Sequence, residues 1–333
     1  MKKSKSVLFV TINYNGWRET IPYLQSVLKQ TYADFHIFLT DNGSTDDSLV
    51  RLAPQIKDPR ITLHKSPTNT GFSGGVNHGI RYAIEHGYDY VAMLNNDATI
   101  EPDWLQILMS SIEKTDASSI TGLLLNGDGT QIESTGDGYS TWGLPFPSQR
   151  DEPVANAIES GYVFGGTAGA SLYKTSLFTD IGLFDEKYFM YFEDTDFNLR
   201  AQLAGHRSYY EKKAIGYHDH GTSSNKVPGL TVYQTFRNFP VLFWKNTPTV
   251  LLLTTGLRFY ACYWLMYLRA VLRGQFVIAT KGVLAGLLLL PHATIQRWHI
   301  QRSRRVTTAY LKTVMYPHLP PNSRKGARRI FHK

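Results

Sequence analysis

From residue 6 to about residue 125, short apolar runs alternate with segments whose apolar residues recur every three to four positions. Residues 6–13 (SVLFVTIN) form a β-branched run of strand length, closed by the turn signal Tyr14-Asn15-Gly16. From Trp17 to Gln30, Ile21, Leu24, Val27 and Leu28 share one face, which predicts a helix. Phe35–Thr40 reads as a second strand ending at Asp41-Asn42-Gly43, after which Ser44, Thr45 or Asp46 caps a helix through about Ala53. Arg60–His64 is a short strand, Asn69–Gly75 a glycine-rich loop, Val76–Glu85 a helix, and Tyr90–Leu94 a buried strand stopped by Asn95-Asn96-Asp97. Trp104–Ile112 predicts a helix and Ser119–Leu125 another strand. This alternation implies an α/β fold with a mostly parallel sheet flanked by helices.

The second half is less regular. Residues 126–160, rich in Gly, Asp, Ser and Pro, read as an insertion over a site. Gly161–Tyr173 mixes small residues with β-formers and predicts a strand where a ligand or backbone comes close. Ser208–Tyr217 is a further strand, followed by the polar loop His218-Asp219-His220-Gly221-Thr222-Ser223-Ser224.

In parallel sheets of this kind ligands bind beyond the carboxyl ends of the strands. Asn13-Tyr14, Asp41-Asn42 and Asn95-Asn96-Asp97 all follow strand ends, so they are expected on one rim. Asp41 can offer its oxygens to a ribose or base edge, or serve only as a turn residue. The Asn69–Gly75 loop can present backbone N–H groups to phosphate, but it is not the G-x-G-x-x-G of a dinucleotide fold. Asp97 is a candidate ligand for Mg2+ or Mn2+ held against a diphosphate, with His218 or His220 as a further ligand. Either histidine is equally plausible as an ordinary loop residue.

Phe184–Gly205 (FDEKYFMYFEDTDFNLRAQLAG) packs five acids among aromatic residues. Glu193, Asp194 and Asp196 fall in the first turn of a predicted helix running to about Ala204, where negative charge suits the helix dipole. Asp196 and Arg200 fit a surface i,i+4 pair. Glu193-Asp194, behind Tyr191-Phe192, instead fits a functional carboxylate pair, because apolar surroundings make a carboxylate a stronger base.

Composition adds an asymmetry. The chain has 333 residues, 42% apolar and 19% charged, which is that of a folded protein. All 27 acidic residues lie at or before Asp219, accompanied by 18 Lys and Arg, whereas His220 to Lys333 holds 17 Lys and Arg and no acid. A basic tail suits nucleic acid or an anionic membrane surface, and the tail's apolar content decides for the membrane, with no nucleic-acid partner. Thr249–Leu268 and Phe276–Leu290 are apolar runs interrupted by Arg258 and Lys281, which disfavours simple spanning. An in-plane amphipathic hairpin is expected, with Tyr260, Tyr263, Trp264 and Tyr267 at headgroup level and Arg297, Arg302, Arg304, Arg305 and the SRKGARR cluster meeting lipid. The competing reading is an ordinary core helix pair. Cys262 is the only cysteine and fits a reducing compartment. Val7–Ile12 is too short for a signal peptide and lacks a small-residue cleavage site, so a first strand in a cytosolic protein is expected.

The motifs VTINYNG, DNGSTDDS, NTGFSGGVNHGI, LNNDATI, GGTAGASLYK, FDEKYFMYFEDTDFNLRAQLAG and YHDHGTSS occur in this order over roughly residues 6–240. Together they resemble the inverting glycosyltransferases of GT-A fold, family 2 type, especially the rhamnosyltransferase-like branch. The resemblance implies a catalytic domain over residues 1–240 and a basic, helical, membrane-associating region over 241–333. It implies Asp194 as catalytic base with Glu193 in support. Thr11, Asn13, Asp41, Asn69, Gly71, Asn77, Asn96 and Asp97 would bind the nucleotide sugar. A divalent metal (Mg2+ or Mn2+) would sit on Asp97 and His218, the better match of the two histidines. Leu94-Asn95-Asn96-Asp97 keeps one charge where the family has two. Tyr233 and Arg237-Asn238 resemble the family's next element.

The expected reaction is inverting transfer of a sugar, with rhamnose from dTDP-rhamnose as the first choice and another UDP- or GDP-sugar as the alternative. The expected acceptor is a lipid-linked saccharide in cell-surface polysaccharide synthesis, met at the cytoplasmic face of a membrane by a peripheral or monotopic enzyme. A non-catalytic sugar-nucleotide-binding scaffold is the reading from another class, and the intact Asp41, Asp97 and Glu193-Asp194 argue against it.

Overall fold

The computed structural model describes residues 5–218 and 227–321. Strands β1 (Val7–Asn13), β2 (Phe35–Asp41), β3 (Ile61–Lys65) and β4 (Tyr90–Leu94) alternate with helices α1 (Trp17–Val27), α2 (Ser48–Ile56) and α3 (Gly71–Glu85). β5 (Ala98–Ile100), α4 (Trp104–Ile112), β6 (Ser119–Leu125), β7 (Ile132–Ser134), β8 (Asp137–Tyr139) and β9 (Pro145–Pro147) follow. Then come β10 (Gly161–Val163), β11 (Ala170–Lys174), α5 (Thr175–Ile181), α6 (Glu193–Leu203) and β12 (Ser208–His218). The principal sheet has ten strands along the order β10-β12-β6-β11-β4-β1-β2-β3, with β5 added to β12 and β7 to β6. It is parallel through β3-β2-β1-β4 and again between β12 and β6, while β11 runs antiparallel between β4 and β6.

Both faces of the sheet are covered at its centre, which is why β1, β4 and β6 are buried along their length rather than alternating. Val7 and Phe9 of β1 join Tyr23, Leu24 and Val27 of α1 and Trp104 and Leu108 of α4. Leu8 and Val10 of the same strand join Val76 and Ile80 of α3, Phe178 of α5 and Phe197 of α6. A fully buried Phe or Leu in such a layer contributes about 1.5–3 kcal/mol, so β1 alone commits the chain to this sandwich.

Two expectations about local structure are corrected. The predicted strand Gly161–Tyr173 is two strands, β10 and β11, on opposite sides of the β12-β6 pair, because the small-residue segment Gly165–Gly169 between them crosses over and lines the cavity with Thr167, Ala168 and Gly169. The predicted loop Asn69–Gly75 is mostly helix, since α3 begins at Gly71 rather than Val76.

C-terminal to β12, α7 (Leu230–Asn246), α8 (Thr249–Leu272), α9 (Phe276–Leu288), α10 (Leu290–Ser303) and α11 (Thr308–Val314) pack around one further core. That core joins Phe236, Phe239 and Phe243 of α7 to Phe259 and Tyr263 of α8, and to Leu199 and Leu203 of α6. The expected boundary after residue 240 falls inside α7, at Pro240.

The expected Phe276–Leu290 run is α9 with the first residue of α10, and the two helices meet at a bend of 51°. α8 is long and apolar enough to cross a membrane, and the α9–α10 pair passes the same test only if the bent pair is one span. Of the expected headgroup aromatics, Tyr260 and Trp264 are exposed, but Tyr263 is buried and its hydroxyl donates to the Phe236 carbonyl (2.9 Å). Tyr267 is half-buried and pairs with Thr280 (2.7 Å). Arg297 is buried as well, donating to the Trp244 and Thr247 carbonyls at the end of α7. Arg305 forms an ion pair with Asp180 (2.7 Å). The SRKGARR cluster lies outside the described residues.

Candidate functional site

A cavity of about 650 Å³ opens at the carboxyl ends of β1 and β4. Thr11 and Tyr14, Asn42, Asn69 and Gly71, and Asn96 and Asp97 line one side. Glu193, Asp194 and His218 line it too. The convergence expected of strand-end residues is therefore realised around one space.

Asn13 and Asp41 are buried just behind that wall. The Asn13 amide donates to Asp41 Oδ1 (3.0 Å) and Ser44 Oγ (3.0 Å), and the Ser44 N–H donates to Asp41 Oδ2 (3.3 Å). Asn13 Oδ1 accepts from Thr20, whose hydroxyl in turn accepts from the Asn96 amide (2.9 Å). The two rim turns are thus cross-linked through buried polar side chains. Asn77 lies elsewhere. Its amide nitrogen donates to the Phe184 carbonyl (2.8 Å) and to Glu186 (3.0 Å), fixing the segment before α6 rather than facing the cavity.

Gly71 is required by close approach. It has φ of 72°, and a Cβ there would lie 2.2 Å from the Phe189 carbonyl oxygen. Asn69 Oδ1 accepts from the Gly71 N–H (2.9 Å), and Asn42 ties both residues to the end of β2. The start of α3 is thereby clamped between the rim and the segment leading into α6.

Beside Asp97, His218 Nε2 lies 3.1 Å from Asp97 Oδ1, and its Nδ1 is 3.8 Å from Glu133 Oε1. Burial by itself would lower the His218 pKa, but the hydrogen bond to Asp97 and the adjacent Glu133 carboxylate raise it to about 9. Glu133 is also paired with Arg150 at 2.6 Å.

A carboxylate beside an imidazole suits the oxygen and nitrogen ligation of Mn2+ or Mg2+, which often take their remaining ligands from phosphate and water. Binding at His218 would displace its proton. Among the described residues no three His, Cys, Asp or Glu side chains are arranged to hold a metal by themselves, so Asp97 and His218 fit part of a coordination shell. His220 lies outside the described residues.

The carboxylate pair stands at the N-terminus of α6. Glu193 is buried, and its Oε2 has no hydrogen-bond partner among the described residues. Burial first, and then the neighbouring Asp194 charge, raise its pKa to about 8. Asp194 is half-buried, and burial raises its proton affinity above the ordinary carboxylate range although its Oδ1 accepts the Thr195 N–H (2.6 Å). Asp137, on the wall of the same cavity, is also raised well above the usual range, by burial and then by the Asp194 charge. Three carboxyl groups line one cavity with their proton affinities raised, which is the condition in which one becomes a base near neutral pH.

The turn feeding this pair is strained. Phe189, Tyr191 and Phe192 have φ of 64°, 68° and 72° without being glycine, at a cost of about 1–3 kcal/mol each. Phe189, with ψ of −63°, sits at the centre of a tight three-residue turn closed by the Met190 N–H on the Tyr188 carbonyl (2.7 Å).

Asp196 is corrected from the surface to the core. It is fully buried, and its pairing with Arg200 (2.9 Å) is one contact among several. Lys245 Nζ reaches it at 2.9 Å, the Asn246 amide donates to it (2.8 Å), and so does the Tyr188 hydroxyl (3.2 Å). Lys245 also binds Asp185 (2.6 Å), which His292 of α10 approaches at 2.9 Å. The acids left without a role are therefore structural here: Asp185 joins α10 to α7, and Glu186 joins Arg81 of α3 (2.7 Å).

Sequence reasoning missed Glu133, Asp137 and Arg150, which the irregular 126–160 segment brings to the cavity wall. No periodicity marks them. Only the expectation that this segment covers the site pointed in their direction.

The glycosyl transferase family 2 model matches residues 8–182. The chain is 26% identical over 245 residues to the N-acetylglucosaminyl-diphospho-decaprenol L-rhamnosyltransferase of Mycobacterium tuberculosis, a match covering 66% of this chain and 78% of that one. It is 29% identical over 202 residues to the low-salt glycan biosynthesis hexosyltransferase Agl10 of Haloferax volcanii, covering 58% and 60%. Among solved structures, GalNAc-T7 with UDP, GalNAc and Mn2+ superposes with a TM-score of 0.57 at 14% identity, over 73% of this chain and 48% of that one, about half its length. The S. aureus TarS 1–349 complex with UDP gives 0.50 at 16%, over 73% and 66%. Matched over more than half its length by the family model, and with the fold of these neighbours, the chain belongs to glycosyl transferase family 2 as a GT-A-fold glycosyltransferase.

Proposed function

We propose that this enzyme transfers a sugar from a nucleotide sugar to a hydroxyl of a lipid-linked saccharide with inversion at the anomeric carbon. The observation that carries the reading is the pairing, around one cavity, of a proton-avid carboxylate pair, Glu193-Asp194, with the Asp97–His218 couple. Asp194 takes the proton of the acceptor hydroxyl as that oxygen forms its bond to the anomeric carbon. The bond from that carbon to the diphosphate breaks, and the nucleoside diphosphate leaves with the electron pair. Glu193, whose ionisation is opposed by burial and by the Asp194 charge, stays protonated beside it and leaves Asp194 as the charged member of the pair. Asp97 and His218 would hold a divalent metal, whose charge would offset that of the departing diphosphate.

The donor is proposed to be dTDP-rhamnose, a reading supported by the rhamnosyltransferase name of the mycobacterial relative. UDP- and GDP-sugars are the competing donors. That relative's name also supports a polyprenyl-diphosphate-linked N-acetylglucosamine as the acceptor. The test incubates the full chain with this acceptor and a panel of dTDP-, UDP- and GDP-sugars, with and without chelator. Transfer from dTDP-rhamnose that stops on chelation and resumes with Mn2+ is the expected result. A retained anomeric configuration in the product overturns the mechanism, and full turnover in chelator removes the metal.

The enzyme is further proposed to sit on the cytoplasmic face of a membrane through α8 to α10. Leu253 and Leu257 of α8 and Leu288 of α9 are each about 80% exposed, and no acidic residue occurs from His220 onward to repel anionic lipid. Co-sedimentation with vesicles of phosphatidylcholine and phosphatidylglycerol is expected, and it should fall in a Leu253→Ser/Leu257→Ser variant. Binding unaffected by that change places the contact elsewhere.

A further inference from the structure

The strained turn before α6 needs something to hold it. Asn238 of α7 is fully buried, and its single amide nitrogen donates to three backbone carbonyls of that turn: Tyr188 (3.0 Å), Met190 (2.9 Å) and Tyr191 (3.0 Å). An amide has two N–H bonds, so one hydrogen is shared between two of the carbonyls. Carbonyls of an extended segment point to alternate sides, and only a chain folded back on itself presents three to one donor. The amide's own orientation is fixed, since Arg237 Nη1 donates to Asn238 Oδ1 (2.8 Å). The same guanidinium donates to the Lys187 (2.7 Å) and Tyr188 (3.1 Å) carbonyls.

The support is rigid on both sides. Two turns further along α7, Lys245 and Asn246 hold Asp196 inside α6. Opposite Asn238, the Phe189 carbonyl accepts the Ser73 N–H (3.3 Å) and presses against Gly71 of α3. The turn is wedged between α7, which grips α6, and the start of α3, which lines the cavity. No side chain caps α6, because its N-cap position is the left-handed Phe192. The direction in which Glu193 and Asp194 project is therefore set by the backbone that Asn238 holds.

We propose that Asn238, oriented by Arg237, is a positioning residue for the catalytic carboxylates. It holds residues 188–191 in the left-handed turn from which α6 starts and so places Asp194 in the cavity. The assignment rests on Asp194 being the base, and the experiment separates the two.

Three variants are compared with wild type and with Asp194→Asn. Asn238→Ala removes the donors, Asn238→Ser keeps one, and Asn238→Asp keeps the shape but can only accept. A core change in α4, Leu108→Ala, on the far layer of the sheet, controls for lost stability. Hydrogen–deuterium exchange is followed on the peptide spanning 187–196, and turnover as nucleoside diphosphate release from the nucleotide sugar selected by the panel above. In Asn238→Ala that peptide is expected to exchange at least about tenfold faster while β1 and β4 stay protected. Its kcat falls about 100-fold with donor KM changed less than about threefold, the signature of a base misplaced by a fraction of a bond length. Asn238→Ser lies between, Asn238→Asp is no better than Ala, and Leu108→Ala keeps its kcat.

If Ala does not fold, Ser carries the same test. Unchanged exchange in a folded Ala or Ser variant overturns the proposal, as does full turnover in Asn238→Asp. An inactive Asp194→Asn beside a fully active Asn238→Ala overturns the positioning role alone. Full activity in both overturns the base assignment, and the exchange data then judge the turn independently.

Discussion

Two faces of one helix turn treat their acids in opposite ways. Glu193 and Asp194 face the cavity, where burial raises the proton affinity of both and the Asp194 charge raises that of Glu193 further. Asp196, two residues on and more deeply buried, is held below the ordinary range. Burial would raise it too, but the charges of Lys245 and Arg200 outweigh that cost. Burial alone therefore does not decide whether a carboxylate is a base. The cations in contact do, and Lys245 and Arg200 both lie against Asp196.

The widest separation between the faces is expected in activity. Asp194→Asn keeps the shape and removes the basic oxygen, so turnover should fall about 10²–10⁴-fold with the melting temperature unchanged or raised. A variant transferring sugar at the wild-type rate would show that the cavity face holds no base.

The opposite face should answer in stability. Asp196→Ala leaves Lys245 with Asp185 and Arg200 with backbone carbonyls alone, and breaking a buried pair on one side costs up to about 3–5 kcal/mol. Denaturant unfolding should show that loss, and loss of the Asp196 contact should also soften the anchorage of α7 on α6. A change below about 1 kcal/mol would mean the cage is solvated.

The outline of this arrangement is legible in the sequence, and its depth is not. β1, β2, β4, β6 and α4 follow from periodicity because each has one simple environment, buried on both faces or on one stripe. The start of α3 is hidden because Gly71 through Gly75 reads as loop, whereas Gly71 is a glycine on account of Phe189, 118 positions away. The i,i+4 spacing identifies Asp196 and Arg200 as a pair but carries no information about what covers them, so a surface position is the natural expectation. Lys245, which covers Asp196, is 49 residues distant. Tyr263 and Arg297, expected at a lipid surface, turn inward for the same reason: an apolar, basic segment does not reveal which of its polar groups find backbone carbonyls. The rim residues can be found because strand ends are local features, and Glu133, Asp137 and Arg150 cannot because nothing local marks them.

The finest test asks whether the strain of the cavity face shows up as a dependence of stability on pH. Glu193 has a folded pKa of about 8 against an unfolded value near that of an ordinary glutamate, about 4.3. Between these values the folded chain binds the proton more tightly than the unfolded chain, so stability declines as pH rises from about 4.3 to about 8. Asp196 has the opposite sign, and its contribution is lost only as pH falls through its lowered folded value. Glu193→Gln cannot ionise and should abolish the first dependence while leaving the second. The variant should match wild type near pH 4.5. It should gain on the order of 1–2 kcal/mol by pH 8.5, since a tenfold change in proton affinity corresponds to about 1.4 kcal/mol and the two carboxyls share the penalty. Denaturant midpoints at the two pH values read this directly. Parallel curves for variant and wild type would mean that Glu193 is as well solvated as a surface glutamate, and the contrast between the two faces of α6 would then rest on Asp196 alone.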